Sequence, residues 1–149
     1  MNIGWIGLGT LGRAMAGRML AQGTALTVWN RTRKKCDGLG APTADSPADL
    51  AARCDVVFLS LFDTDAVLAV LGGPAGVLSG EARDKIIVDT TTNHVERVCE
   101  CHALAKRAGA RYLEAPVLGS GVPATQGALT VLVSGDEDVF EKARSLIAI

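Results

Sequence analysis

Apolar residues recur along the chain in short blocks with two alternating spacings. Asn2–Ile6, Ala25–Trp29, Asp55–Leu61, Lys85–Asp89, Arg111–Glu114 and Leu129–Ser134 are compact runs of large or β-branched side chains, and they predict strands. The segments between them carry helical spacing. These are Arg13–Ala21, a helix opened by Ser46-Pro47, Asp63–Leu71 ended by Gly72-Gly73, His94–Ala108 as the longest, and a helix running from Asp136 to Ile149. Ser46 is placed to cap its helix and Pro47 to occupy the first turn, where a missing N–H costs nothing. A basic loop, Arg31–Lys35, leads into a short weak helix, and a brief third strand is expected near Ala41–Ala44. Strands that alternate with helices predict an α/β fold of Rossmann type: a doubly wound, mostly parallel sheet flanked by helices. The unbroken apolar run Val56–Leu59 fits a sheet covered on both faces.

Composition narrows the picture. The 149 residues form one domain, 1–149, and 48% of them are hydrophobic, enough for a sizeable core. A formal net charge of -1 argues against nucleic acid as a partner, since such proteins carry a basic excess. No run is long and apolar enough to span a bilayer, and no basic segment precedes Ile3–Leu11, as a secretory signal would require. The four cysteines, Cys36, Cys54, Cys99 and Cys101, are therefore expected to be reduced in a cytoplasmic protein. Cys99, Cys101 and His102, with His94 nearby, lack metal-ligand spacing. Helix positions two apart face different ways, so no metal is expected and both histidines are read as facing solvent. The tail Ser145–Ile149 has no cap, proline or polar end, and the expectation is a longer parent protein. In its absence Ile147 and Ile149 are expected to lie exposed and to favour self-association.

The chemistry begins at Gly7-Leu8-Gly9-Thr10-Leu11-Gly12. A GxGxxG string is a weak signal alone, but here it follows a strand and opens a helix, the context it requires. Gly7 permits the tight turn, Gly9 lets a pyrophosphate approach the backbone, and Gly12 lets helix and strand pack closely. The free N–H groups of the first helical turn then face the phosphates. The end of the second strand selects the cofactor. An NAD site places Asp or Glu about 20 residues after the glycines to bond the ribose 2′-hydroxyl. This chain has Asn30 there, followed by Arg31 and Thr32. A carboxylate would repel a 2′-phosphate. Asn30 does not, and the Arg31 fork can grip one. NADP(H) is the expected cofactor, with NAD as the alternative.

The strings GLGTLGRAMAGRML, TVWNRTRKKCDGL, DTTTNHVE and EAPVLGSGVPATQGALTVLVSGD resemble the β-hydroxyacid dehydrogenases. Within them the chain is most similar to the NADP-dependent glyoxylate and succinic semialdehyde reductases, near the 3-hydroxyisobutyrate dehydrogenases. The resemblance covers essentially the whole chain but only the N-terminal half of such a protein. It implies that Leu61, Phe62 and Asp63 lie along the cofactor and that Thr92 sits beside its nicotinamide end. It also implies that Leu118, Gly119 and Ser120 occupy the segment that holds a substrate carboxylate. Leu118 departs from the family, which has a serine there, so one carboxylate anchor is missing.

The family's catalytic lysine is expected beyond residue 149, and no lysine of this chain takes its place. The reading is thus the cofactor domain of an oxidoreductase that moves hydride between NADP(H) and the carbonyl of a small hydroxyacid or aldehyde-acid. The full protein is expected to act on a small-molecule substrate as a homo-oligomer. The alternatives are the domain of an imine-reductase-like enzyme, which Leu118 keeps open, and a non-catalytic dinucleotide-sensing module.

Overall fold

The central strand follows from its own sequence. Ile3–Ile6 (β1) reads IGWI, and all four residues are buried, because a strand flanked on both edges and both faces has no exposed position. A computed structural model describes residues 1–148. In it Thr10–Ala21 forms α1, Leu26–Trp29 β2, Pro47–Arg53 α2, Val56–Leu59 β3, Thr64–Gly72 α3, Ile86–Asp89 β4, Val95–Arg107 α4 and Arg111–Glu114 β5. Val117–Leu118 (β6), Gly121–Gln126 (α5), Thr130–Val131 (β7) and Glu137–Ile147 (α6) follow. The main sheet is parallel throughout, in the order β2-β1-β3-β4-β5. This is the doubly wound Rossmann architecture that the alternation of strands and helices predicts.

Alternation of side chains sorts the apolar strands into two cores. Ile6, Val57, Leu59, Ile87 and Tyr112 pack under α2, α3 and α4. Trp5, Val56, Phe58, Val88 and Leu113 pack on the other face under α1 and α6. There Trp5 and Phe58 stack with ring centroids 5.1 Å apart. The first crossover carries the chain from β1 to β2 on one side. The next returns it past β1 to β3 on the other. The switch point therefore lies between β1 and β3, where such sheets open a crevice at their carboxyl ends.

Several elements differ from the sequence expectation. The third strand near Ala41–Ala44 shrinks to one parallel bridge, Val28 to Thr43, because Pro42 brings no N–H to a ladder. In place of a weak helix after the basic loop, the loop itself closes in a single 3-10 turn, Arg33–Cys36. The run Leu129–Ser134 pairs only briefly, antiparallel with β6 and through a bridge from Ser134 to Glu114. Helix α1 begins three residues earlier than expected, at Thr10, inside the glycine turn. Ser46 caps α2 as expected, its Oγ accepting from the Asp49 N–H at 3.0 Å. Ile147 is half-buried and packs against the second core, contrary to the expected exposure. The expected end of the last helix at Ile149 lies outside the described residues. No helix among the described residues is long and apolar enough to cross a membrane.

Candidate functional site

At the switch point a cleft of about 730 Å³ runs along the carboxyl edge of the sheet. Its centre is the glycine turn. Gly7 has φ +98, and a Cβ there would sit 2.1 Å from the Ser60 carbonyl oxygen. At Gly12 a Cβ would sit 2.1 Å from the Gly7 carbonyl oxygen. Both positions must be glycine for β1, α1 and the loop after β3 to meet. Gly9 is different. Its backbone is ordinary (φ -68, ψ -171), and a Cβ there would meet nothing within 4 Å. The space above Gly9 is open to a ligand and not to a neighbouring element. No side chain caps α1 and no acidic residue occupies its first turn, whereas Ser46 and Asp63 cap α2 and α3. The uncapped first-turn N–H groups and the positive end of the helix dipole face this space, the arrangement a pyrophosphate requires.

One end of the cleft is formed by the loop after β2. Arg31, Thr32 and Lys35 line it. Among the described residues their side chains have no hydrogen-bond or ion-pair partner, whereas Arg33 turns to Asp45 at 2.8 Å. Asn30 also lines the cleft, but both ends of its amide are engaged. Its Oδ1 accepts from the Leu8 N–H at 2.8 Å, and its Nδ2 donates to the Thr32 carbonyl at 3.0 Å. The residue expected to hold ribose thus ties the basic loop to the glycine turn. The whole lining carries two cations, Arg31 and Lys35, and no carboxylate.

The other end is the loop after β4, where Thr90, Thr91 and Thr92 line the cleft. Thr90 is held by its Oγ1 donating to the Leu59 carbonyl at 2.8 Å, and Thr91 Oγ1 accepts from the Leu61 N–H at 3.0 Å. Beneath them Asp89 is completely buried. Its Oδ1 accepts from the Thr91 N–H at 2.9 Å, and its Oδ2 from Asn93 Nδ2 at 2.7 Å and from the Tyr112 hydroxyl. Burial pushes the Asp89 carboxyl above the ordinary carboxylate range, and these donors offset part of that. Burial and the neighbouring Asp89 likewise push Tyr112 up, and burial raises the adjacent Cys101 thiol to about 11, so both stay protonated and Tyr112 donates to Asp89. The threonine loop is therefore pinned from below by a buried polar cluster.

Not every expected site residue reaches the cleft. Gly7, Gly9, Thr10, Leu11, Gly12, Asn30, Arg31, Thr32, Leu61, Phe62 and Thr92 do, with Phe62 94% exposed at the rim. Leu8 does not, because its side chain turns into the core and its N–H is taken by Asn30. Asp63 does not line the cleft either; its carboxylate caps α3 by accepting from the Ala66 N–H at 2.9 Å. Leu118, Gly119 and Ser120 stand outside the lining, and only Val117 of that segment enters it. Leu118 is 57% exposed, and Ser120 is the residue before α5, which packs on α1. Lys35, Thr90 and Thr91 are additions to the expected set. A lysine in a basic run and threonines beside an expected Thr92 were visible in the sequence, but no spacing rule marked them. His94 is exposed and precedes α4, its Nδ1 accepting from the Glu96 N–H at 3.3 Å. His102 is not free in solvent: it pairs with Glu114 at 3.2 Å and stands edge-on to Tyr112. A second cavity of about 290 Å³, on the face covered by α1 and α6, is apolar apart from Thr90 and Arg144.

The family described as the NAD binding domain of 6-phosphogluconate dehydrogenase matches residues 2–149. The chain is 39% identical to glyoxylate/succinic semialdehyde reductase 2, chloroplastic, of Arabidopsis thaliana, over 100% of this chain and 42% of that protein. Among solved structures it is similar to 3-hydroxyisobutyrate dehydrogenase of Mycobacterium tuberculosis. That match has a TM-score of 0.92 and 27% identity, covering 99% of this chain and 50% of that one. It is also similar to Psf3 in complex with NADP+ and 2-OPP, with a TM-score of 0.92 and 33% identity, covering 98% and 53%. The chain spans half or less of the length of the curated relatives it matches.

Proposed function

The chain belongs to the family of the NAD binding domain of 6-phosphogluconate dehydrogenase, and on that premise we propose that it binds NADP(H) in preference to NAD(H). In this reading residues 1–149 are the cofactor domain of an oxidoreductase completed by a further, catalytic domain. The observation that carries the preference is the lining of the cleft, which holds Arg31 and Lys35 but no carboxylate. A carboxylate at the end of β2 would select the free 2′-hydroxyl. Here that position is Asn30, whose amide is spent on Leu8 and Thr32. The unpartnered Arg31 guanidinium then presents its fork to a 2′-phosphate, with Thr32 and Lys35 beside it.

The glycine turn would hold the pyrophosphate through the α1 N–H groups, and the pinned loop Thr90–Thr92 would face the nicotinamide end. Bound nicotinamide supplies or accepts the hydride. The substrate would be a small aldehyde-acid reduced at its aldehyde carbonyl, or the corresponding hydroxyacid oxidised at its carbinol carbon; the reductase that the chain is similar to is named for two aldehyde-acids. Leu118, Gly119 and Ser120 would contribute from outside the cofactor cleft. The general acid, a lysine, would come from the other domain. The four cysteines are free, which suits a reducing compartment such as the cytoplasm.

The test is a paired titration of the domain with NADPH and NADH by calorimetry. Each charge-assisted hydrogen bond to phosphate is worth about 1.5–3 kcal/mol, so NADPH is expected to bind at least about tenfold tighter. Arg31→Ala is expected to close most of that gap. Equal affinities for the unaltered domain would refute the preference.

A further inference from the structure

The loop that carries Arg31, Thr32 and Lys35 is tied down at both ends, and the second tie is a residue the function above does not use. At its start Asn30 joins the loop to the glycine turn. At its end Arg13, in the first turns of α1, reaches across with both arms of its guanidinium. Its Nη1 donates to the Lys35 carbonyl at 2.6 Å and its Nη2 to the Asp37 carbonyl at 2.9 Å. Both carbonyls lie at the end of the 3-10 turn Arg33–Cys36, where backbone oxygens lack partners within the turn. A cation there meets the negative end of the turn, and a planar fork can span two oxygens where an ammonium reaches one.

We propose that Arg13 is a positioning residue for the 2′-phosphate: it latches the loop to α1 so that Arg31 and Lys35 are held over the cleft before cofactor arrives. The inference rests on the NADP(H) reading. The latch matters because, apart from the solvent-exposed pair of Arg33 with Asp45, the loop has little else to hold it. Lys34, Lys35 and Arg31 are exposed and unpartnered among the described residues, and of this turn only Cys36 is buried. Four positive side chains crowded between positions 31 and 35 also repel one another, which favours an open loop unless the backbone is fastened. A loop that must be ordered on binding lowers affinity. Each side chain immobilised at that moment costs about 0.5–1.5 kcal/mol, a factor of about 2 to 12. With Arg31 and Lys35 both loosened the two factors multiply, and the loss centres on about 30-fold. It falls on NADPH alone, because NADH has no group for these side chains to grip.

Arg13→Met keeps the length of the stem and removes the fork. Titrations of NADPH and NADH would be run on the unaltered domain, Arg13→Met, Arg13→Lys and Arg31→Ala, with thermal unfolding to confirm that each variant folds. Arg13→Met is expected to weaken NADPH about 30-fold and to leave NADH within about twofold, with faster amide exchange across residues 31–38. Arg13→Lys keeps the charge but cannot span both carbonyls, and it is expected to recover less than half of the loss. Unchanged NADPH binding in Arg13→Met would overturn the latch, as would an equal fall for both nucleotides or full recovery by lysine. A gap that Arg31→Ala closes and Arg13→Met leaves intact removes the latch alone. Equal binding of the two nucleotides by the unaltered domain removes the NADP(H) reading and the latch together.

Discussion

Removing one oxygen atom from Tyr112 tests whether the threonine loop is held as the buried cluster implies. Tyr112 is buried, and its hydroxyl donates to Asp89 Oδ2, with Asp89 itself completely buried. Tyr112→Phe leaves the ring in place, so packing against His102 and the sheet is retained. What is lost is one hydrogen bond to Asp89, worth about 1.5–3 kcal/mol once the carboxyl is ionised and less while it is protonated. Oδ2 keeps Asn93 and Oδ1 keeps the Thr91 N–H, so the carboxylate is not stranded and the lower end of that range applies. For a chain of this size each kcal/mol moves the midpoint by about 2–4 °C. A loss of about 1.5–2 kcal/mol therefore lowers the midpoint by about 3–8 °C. Thermal unfolding followed by tryptophan fluorescence, to which buried Trp5 contributes, measures it.

The pH dependence supplies the sharper test. Burial raises the folded-state pKa of Asp89 above its ordinary 3.8. A group raised in this way contributes stability that is present below its unfolded value and lost as pH rises through the folded one. Tyr112 offsets that loss by favouring the carboxylate. The penalty of Tyr112→Phe is therefore expected to grow as pH rises through the folded-state pKa of Asp89, which lies above 3.8. In an Asp89→Asn background the pH dependence of the penalty should vanish. A penalty under about 0.5 kcal/mol, or one independent of pH, would refute the claim that Tyr112 supports a buried charge.

Two further substitutions separate fold from binding at the glycine turn and the basic loop. Gly9→Ala places its Cβ in open space on an ordinary backbone, so unfolding free energy should stay within about 0.5 kcal/mol. NADPH affinity should fall at least about tenfold, since the methyl projects where the pyrophosphate approaches. Unchanged affinity on calorimetry would mean that the turn is not the phosphate seat. Asn30→Asp keeps an acceptor for the Leu8 N–H but turns an oxygen toward the Thr32 carbonyl, where a donor stood. It is expected to invert the preference to NADH in paired titrations and to lower stability; a retained NADPH preference would move the point of discrimination elsewhere.

The sheet was legible because strands buried on both faces are almost wholly apolar: β1, β3 and β4 are buried at every position, and Asp89 at the end of β4 is their one charged residue. The segment from Val117 to Ala128 was harder. Its Gly and Pro content breaks any helical or strand spacing, yet Gly121–Gln126 is helical. Pro123 falls in a first turn where its missing N–H costs nothing, and Gly127 ends the helix at φ +69. Packing of α5 on α1, which no local spacing encodes, decides the matter. The cofactor cleft shows the same division. Gly7 and Gly12 were readable because backbone contacts at 2.1 Å exclude every other residue. The Asp89–Tyr112 contact was not, because 23 positions separate the partners and only the β4–β5 register brings them together.

Asn30 shows why selectivity and architecture are coupled at this site. The position faces one donor, the Leu8 N–H, and one acceptor, the Thr32 carbonyl. Only a side chain with both an acceptor and a donor satisfies the pair, and Asn does so without charge. Asp would answer the N–H and repel the carbonyl; Ser or Ala would be too short to bridge them. The neutrality that tolerates a 2′-phosphate is thus the same property that straps the loop to the glycine turn. A change of cofactor made here alone must disturb the loop it is meant to retune. A clean switch toward NAD(H) would need a second change that supplies Thr32 with another donor.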